Sequence, residues 1–548
     1  MKKAFLSIVL VMALLFSLAS IPVFADETQQ ISLYSGTPDM DFWDALYDED
    51  GNPITKEVTI MTADQLVGFA EMSSANAFDG WTIKLGADMV INTGDASVWS
   101  DTEKAPSYKW KGGNSYGYSF SGTFDGQGHV ISGLYTVGSS SKAAALFAYA
   151  SRNATIQNVS IVNSYFTGEA YVSAVVGSYE PKQNDACLTI KNVHVQDTGV
   201  YSSTQDTAGI LGRIGSDSNK NMSVKLENVS FVGGSITAGR HSGGIIGRIY
   251  SDKPYENGVA LTMNGIVLDT DLTFAASNAD LKSGSLIGNV NGFRSANISN
   301  VFIGGTLEVS TANAKNTGAM IGILSNSATN VLKEGTVVTA RALLKVENVL
   351  IAQACKNVSA VWFNRSGEFS DADNSTSATD ELTTVYYDSD IVKIDTTGAT
   401  GCKAVMVNDT PGAETGKSFT SLKGTNAGYT GWTVVANDYP MPIALVEINV
   451  DTYKNYVAPP PAQDDEDDDD NGTDTDDQGG TQGGTQGGTQ GNVTEPTTEA
   501  NTPEESGTKP NATEERAGCA SAVGTGAALI ALICLGGATV VSKKQKNK

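Results

Sequence analysis

The residues with the clearest capacity for chemistry are aromatic side chains between residues 98 and 120. They stand among glycines and lysines and comprise Trp99, Tyr108, Trp110, Tyr116 and Tyr118. Exposed aromatic rings stack on sugars or fill a partner's pocket. We therefore predict a binding surface in this insert; packing of the same rings over the end of the fold is the alternative.

Residues suited to acid–base or metal chemistry are more scattered. Glycoside hydrolysis requires two carboxylates at short separation, yet adjacent aspartates occur only between residues 464 and 477. His194 and His241 have no cysteine or carboxylate beside them, and Asp125 to His129 form a tight-turn segment whose histidine we expect to bond locally. We predict no catalytic residues, no metal site and no cofactor. A polysaccharide-active enzyme, hydrolase or lyase, stays as an alternative.

The charge and the cysteines limit the partners and the scaffold. The chain has 548 residues and a formal net charge of −25, of which residues 26–456 carry −17. Because this charge repels a polyphosphate, nucleic acid is excluded as a partner. Five cysteines are too few for a disulfide scaffold. We expect Cys187, Cys355 and Cys402 to be buried free thiols, although their pairing stays open.

Both ends of the chain carry membrane signals. Residues 1–25 combine two lysines, an apolar run and a small-residue cleavage site, as a secretory signal peptide does. Near the other end, the uncharged stretch 520–542 is long enough to cross a bilayer, and four lysines follow it. Gly518 and Cys519 are similar to the start of the sorting tails of some bacterial surface proteins. A transmembrane anchor and a cleaved tail are therefore both open.

A low-complexity segment, residues 457–517, separates this tail from the body. An acidic block, a Gly-Gly-Thr-Gln repeat and a stretch rich in Thr, Glu and Pro follow one another without apolar periodicity. Such a segment buries too little surface to offset its ordering entropy. We predict a disordered acidic stalk that holds the body away from the membrane.

The body repeats one motif about every 35 residues. It reads TIQNVSI, TIKNVHV, KLENVSF, TMNGIVL, NISNVFI and KVENVLI, with central residues Asn158, Asn192, Asn228, Gly265, Asn300 and Asn348. The period-two alternation of a strand changes phase at each centre. Asn and Gly tolerate the left-handed conformation best, so each motif predicts a strand, a bend of one residue and a second strand.

Bends at the same place in successive repeats indicate coils stacked on one another, in an all-β parallel β-helix. The Asn side chains would then form an amide ladder, Lys191 would neighbour Glu227, and Arg213 would neighbour Arg248. A row of antiparallel sandwiches is excluded because a 35-residue unit cannot close one. A second motif, running from SAVVGSY to GAMIGIL, supplies another strand in each coil.

Both ends of such a solenoid need a cover. Residues 62–75 are amphipathic and start with a capping box at Thr62 and Gln65, which predicts a helix over the first coil. Strand-like runs at 383–388, 431–435 and 441–450 are interpreted as the last coils and a distal cap.

Residues 59 to about 445 resemble the bacterial surface proteins that carry GLUG-type repeats. The similarity lies in TADQL at 62–66, in FSGTFDGQGHVISGL at 120–134, and in AGILG and GGIIG at 208–212 and 243–247. Variable inserts around 250–284 and 324–345 depart from the family pattern. The resemblance implies a secreted, adhesin-like, right-handed parallel β-helix without catalytic activity of its own.

Together these observations predict five segments. They are a signal peptide (1–25), an N-terminal extension (26–58), a parallel β-helix with caps (59–456), the linker (457–517), and a membrane anchor or sorting tail (518–548). The predicted function is binding at the outer face of the cell membrane, to a carbohydrate or a cell-surface or matrix ligand, with the C-terminal helix in the membrane. A passive envelope spacer is a further alternative. The ligand and the oligomeric state stay open.

Overall fold

The computed structural model describes residues 30–460 apart from several internal gaps. The gaps are 113–115, 138–142, 182, 217–219, 252–257, 276–280, 311–315, 326–328, 334–335, 341–342, 359–363, 367–380, 389–390, 392–402, 405–428, 430 and 437. The predicted signal peptide, the tail, Cys402 and all but the first four residues of the linker lie outside the described residues. None of the helices in the described ranges is long and apolar enough to cross a membrane.

Strands dominate the described residues. Those of the N-terminal half are β1 (Ile31–Leu33), β2 (Glu57–Ile60), β3 (Thr82–Leu85), β4 (Asp88–Val90), β5 (Thr123–Asp125), β6 (Val130–Ser132), β7 (Phe147–Ala150), β8 (Ala154–Val162), β9 (Tyr165–Thr167), β10 (Val176–Tyr179), β11 (Ala186–Gln196), β12 (Gly199–Ala208), β13 (Leu211–Ser216) and β14 (Met222–Gly243). Those that follow are β15 (Ile246–Ser251), β16 (Val259–Phe274), β17 (Ser283–Gly284), β18 (Ile287–Asn291), β19 (Phe293–Val309), β20 (Thr317–Gly318), β21 (Ile321–Ser325), β22 (Thr329–Lys333), β23 (Thr336–Ala340), β24 (Leu343–Ile351), β25 (Ala354–Lys356), β26 (Asn364–Ser366), β27 (Glu381–Tyr387) and β28 (Lys403–Ala404). The helices are α1 (Asp41–Asp44), α2 (Ala63–Met72) and α3 (Val450–Lys454), with 3₁₀ turns at Ala96–Val98 and Tyr116–Tyr118.

Successive coils lie directly on one another. The strands of the first motif, β8, β11, β14, β16, β19 and β24, pair in parallel. The strands of the second motif pair in parallel in a second sheet, in the order β7, β10, β13, β15, β18 and β21. Lys191 faces Glu227 and Arg213 faces Arg248, as predicted. The all-β, mainly parallel, β-helix-like architecture is thereby confirmed.

The six central residues of the first motif form what we call the first corner. All six have positive φ, from 50° at Asn192 to 70° at Gly265. Asn192 Nδ2 donates to Asn158 Oδ1 at 2.8 Å, and Asn228 Nδ2 donates to Asn192 Oδ1 at 3.1 Å. The predicted bends and the predicted amide ladder are both confirmed.

Gly265 interrupts this ladder for a steric reason. A Cβ at Gly265 would lie 2.7 Å from Asn228 Oδ1 and 2.9 Å from a methyl carbon of Ile443. The neighbouring Asn264 replaces the missing amide, because its Oδ1 accepts from Asn300 Nδ2 at 2.8 Å. The ladder then continues to Asn348.

The predicted N-terminal cap is present as α2. Thr62 Oγ1 accepts from Gln65 N at 3.2 Å, and Gln65 Oε1 accepts from Met61 N at 2.8 Å, so the side chains satisfy backbone donors at the helix start. Leu66 and Phe69 are buried, and the Phe69 ring stacks on Phe124 of the first coils at 6.2 Å.

The C-terminal segment differs from the prediction. β27 does continue the coils by pairing in parallel with β24, but in 431–435 and 441–450 the described residues form no strand beyond the isolated antiparallel bridge between Thr433 and Met441. Instead, residues 439–456, the return segment, run back along the outside of the coils. Ile448 O accepts from Gln196 Nε2 at 3.2 Å, and Tyr453 Oη donates to the buried Asp88 at 2.7 Å.

Apolar side chains on the outward face of the coils explain this course. Near the N-terminal end, Val90, Val130 and Val162 pack against Val450 and Tyr453. Near the other end, Tyr439 and Met441 at the start of the return segment belong to a second apolar cluster. The coil residues in this cluster include Val267, Phe302 and Leu350. Burying both patches favours the reversed path over a local cap.

Candidate functional site

The two tryptophans of the aromatic insert are part of the core. Trp99 is 2% exposed and Trp110 is 3% exposed. Trp110 Nε1 donates to Leu146 O at 3.2 Å, which fixes the ring against the coil. The expectation that these two rings are available for stacking is therefore corrected, because long-range packing over the first coils covers them.

The tyrosines of the insert have different surroundings. Tyr108 is half-buried against Tyr34, with ring centroids 4.6 Å apart, and burial raises the pKa of its phenol. Tyr118 is 48% exposed. The side chain of Tyr116 lies outside the described part of the structure.

Trp99 instead packs against a row of aromatic rings formed by Tyr135 and Tyr165. Its ring makes an edge contact with Tyr135 at 5.8 Å, and Tyr135 stacks on Tyr165 at 6.3 Å with an interplanar angle of 26°. Tyr165 is half-buried and faces a cleft. Tyr135 and Tyr165 lie outside the insert and belong to no repeated motif, so no pattern in the sequence singles them out.

The cleft lies beside a second row of bends. Asn163, Asp197 and Gly233, here called the second corner, follow one another on adjacent coils with φ of 44°, 47° and 69°. Asn163 is fully buried and fixes the adjoining loop: its Oδ1 accepts from Ala96 N at 2.9 Å and its Nδ2 donates to Gly94 O at 2.8 Å. This anchored loop forms one side of the cleft.

The cleft has a volume of about 380 Å³, within the range of small-ligand sites. Its lining residues are Asp95, Ala96, Ser97, Tyr165, Asp197, Gly199, Gly234, Ser235 and Lys454. Gly199 is required under the tyrosine ring, because a Cβ there would lie 2.6 Å from Tyr165 Cδ2. The ring can therefore lie close against the backbone of β12 at Gly199.

Charged groups lie on the rim of the cleft. Asp95 Oδ1 accepts from Ser97 N at 3.0 Å, and this hydrogen bond lowers the pKa of the Asp95 carboxyl. Lys454 Nζ lies 3.7 Å from the same oxygen. Burial raises the pKa of the Tyr165 phenol. At neutral pH the cleft thus presents an ionised carboxylate acceptor and a neutral tyrosine phenol, with the Lys454 side chain beside the carboxylate.

The other residues that the sequence singled out make local contacts that hold the fold together. His129 Nδ1 lies 3.0 Å from Asp88 Oδ1, and Asp125 Oδ1 accepts from Asn158 Nδ2 at 3.0 Å, so the turn segment starts the first-corner ladder. Cys187 and Cys355 are free and half-buried. In the described ranges, no group of three or more His, Cys, Asp or Glu residues is arranged to hold a metal ion.

Comparisons with known proteins give one partial similarity. A stretch of the chain is 29% identical over 165 residues to halomucin from Haloquadratum walsbyi, which is 28% of this chain and 2% of halomucin. The chain therefore spans a very small part of that relative. No family model matches the chain, and no solved structure matches it. The resemblance to GLUG-type proteins stays a prediction.

Proposed function

We propose that this chain is a secreted, surface-associated protein that binds a carbohydrate in the cleft beside the second corner. The supporting observation is the position of Tyr165, whose ring lies over Gly199 and stands among carboxylate, hydroxyl and ammonium groups. An aromatic face packs against the C–H face of a sugar ring, and the polar rim can bond its hydroxyl groups. Asp95, held ionised, suits a hydrogen-bond acceptor.

The other segments of the chain have a role in the same proposal. A right-handed β-helix would be the rigid carrier, the segment 457–517 its stalk, and residues 518–548 its membrane anchor or sorting tail. The leader and tail sequences support secretion and attachment, and the partial similarity to halomucin is compatible with surface association.

The test is binding to an array of neutral and acidic oligosaccharides, followed by calorimetry with the strongest ligand. Tyr165→Ala should lower the affinity at least about tenfold, since truncating an aromatic residue at the centre of a binding site costs about 2 kcal/mol or more. Tyr165→Phe, which keeps the ring, should retain most of it. Tyr118→Ala is the matched control, because Tyr118 is exposed but does not line the cleft.

Equal affinity in the Tyr165→Ala protein would exclude the cleft. Cleavage of the bound oligosaccharide would favour the polysaccharide-active alternative. The absence of any ligand on the array would favour the envelope spacer.

A further inference from the structure

A cluster of ionisable residues lies at a third row of bends. Tyr171, Asp206 and His241, here called the third corner, have φ of 53°, 55° and 57°. Asp206 and His241 are almost completely buried, and His241 Nδ1 lies 2.7 Å from Asp206 Oδ1. Unlike the first corner, this row repeats no residue type.

Two arginines in register lie beside this corner. Arg213 on β13 faces Arg248 on β15, and neighbouring strands are only about 4.8 Å apart. Like charges at such positions repel each other. Tyr250 lies beside both guanidinium groups. Its ring centroid is 4.6 Å from Arg248 Cζ and 5.8 Å from Arg213 Cζ.

Of the two arginines, Arg213 has contacts with two acidic residues, whereas the described contact of Arg248 is with one. Arg213 NH1 donates to Tyr171 Oη at 2.7 Å and lies 3.6 Å from Glu180 Oε1. Arg248 NH1 lies 3.7 Å from Asp206 Oδ2, an oxygen that also lies 4.0 Å from Arg213 Nε. A single carboxylate oxygen is thus shared by two guanidinium groups.

Polar atoms around Arg248 lack partners. Among the described residues, no hydrogen-bond partner exists for Arg248 Nε, His241 Nε2 or Asn289 Oδ1, although all three atoms are buried. Asn289 is 2% exposed and faces Arg248 directly in the next coil. Buried polar atoms are normally satisfied, so a group of unsatisfied ones indicates a missing ligand atom or water.

We propose that Arg248, with Asn289 and Tyr250, forms a binding site for the carboxylate group of an acidic saccharide. A guanidinium group matches a carboxylate with two parallel hydrogen bonds, and a second anion would offset the repulsion between Arg213 and Arg248. Rotation of the Asn289 amide would direct its NH₂ group towards the same carboxylate. Arg248 is 19% exposed, so part of its side chain is accessible to a ligand. The site does not depend on the Tyr165 cleft.

Calorimetry of the whole protein with trigalacturonate tests the proposal. We expect binding that weakens as salt is raised, and no binding of the fully methyl-esterified trisaccharide. Arg248→Met should lower the affinity at least about tenfold, and Arg248→Lys should lower it less. Arg152→Met is the matched control: Arg152 is 52% exposed and is paired with Asp79.

Asn289→Asp keeps the test decisive if Arg248→Met does not fold. It would supply Arg248 with an internal carboxylate, and binding of trigalacturonate should be lost while thermal stability is kept. Unchanged affinity in a folded Asn289→Asp or Arg248→Met protein would overturn the proposal. Sulfate that competes at the same concentration as trigalacturonate would overturn the assignment to a saccharide carboxylate. Either result leaves Tyr165-dependent binding of a neutral sugar unaffected.

Discussion

The first and third corners use the same backbone bend with different side chains. At the first corner, an Asn amide on one coil bonds the Asn amide on the next, so the row satisfies its own hydrogen bonds. At the third corner, Asp206 and His241 have the same left-handed φ, but Asp206 contacts arginines on two strands of the second sheet. The bend alone therefore does not determine the residue type.

This difference separates two uses of a repeated position. An uncharged amide ladder stabilises the stack and can be repeated without limit. A buried Asp–His pair requires particular neighbours, so it occurs at one level of the stack. We infer that departures from the repeat, rather than the repeat, are where a ligand site can develop on this scaffold.

The largest expected effect is at the first corner. Asn192→Val introduces a β-branched residue at φ of 50° and removes hydrogen bonds to Asn158 and Asn228. We expect the free energy of unfolding to fall by about 3–4 kcal/mol, combining left-handed strain with two lost hydrogen bonds. Urea denaturation would measure this fall.

Asn192→Gly is the control for that prediction. It accepts the same φ and loses only the ladder bonds, so it should cost about 1–2 kcal/mol. Equal losses in the two variants would show that backbone strain at the first corner is negligible.

An intermediate effect distinguishes the two corners directly. His241→Gly keeps the left-handed bend but removes the contact to Asp206, and should cost about 2–3 kcal/mol because the buried Asp206 carboxyl group loses this hydrogen bond. Asn228→Gly removes the neutral bond to Asn192 and should cost about 1 kcal/mol. Urea denaturation of the two variants side by side makes the comparison, and a larger loss for Asn228→Gly would reverse it.

A further effect is a pH dependence. Burial lowers the pKa of His241, with contributions from Arg248 and Arg240 and against the effect of Asp206; burial also lowers the pKa of His194 to about 4. Both histidines bind a proton more readily when unfolded, so their stability contribution is present above about pH 6.5 and is lost as the pH falls towards the folded values.

For His194 the loss between pH 6.5 and 4.5 should be about 2 kcal/mol. His194→Gln should remove that part of the slope, whereas Asn300→Gly, in the uncharged ladder, should leave the slope unchanged. Denaturation at pH 4.5, 5.5 and 6.5 measures it. An identical slope in the His194→Gln protein would refute the assignment.

The repeated features could be predicted from the sequence because the same residue pattern recurs in each coil. Asn158, Asn192 and Asn228 recur at a phase change in the apolar pattern, and a left-handed bend is the simple physical solution. The third corner could not be predicted in this way. Tyr171, Asp206 and His241 share no residue type, and their common φ is a property of the backbone alone.

Long-range packing explains the other differences. Exposure of Trp99 and Trp110 depends on how the insert folds over the first coils, which no local pattern encodes. The alternating residues at 441–450 favour a strand, yet the apolar patches they meet lie on coils formed by distant sequence. Tyr165 becomes a candidate only when Gly199 is placed beneath its ring.

The stacking of one coil on the next is the central claim, and one engineered disulfide tests it. Cys187 faces Ser223 on the adjacent coil, at a strand spacing that permits a disulfide. We predict that Ser223→Cys forms an intramolecular bond to Cys187 on mild oxidation, identified by peptide mapping. Lys225→Cys, two residues further along the same strand, should not form this bond. No cross-link in the Ser223→Cys protein, or equal cross-linking in both, would contradict the stacked register.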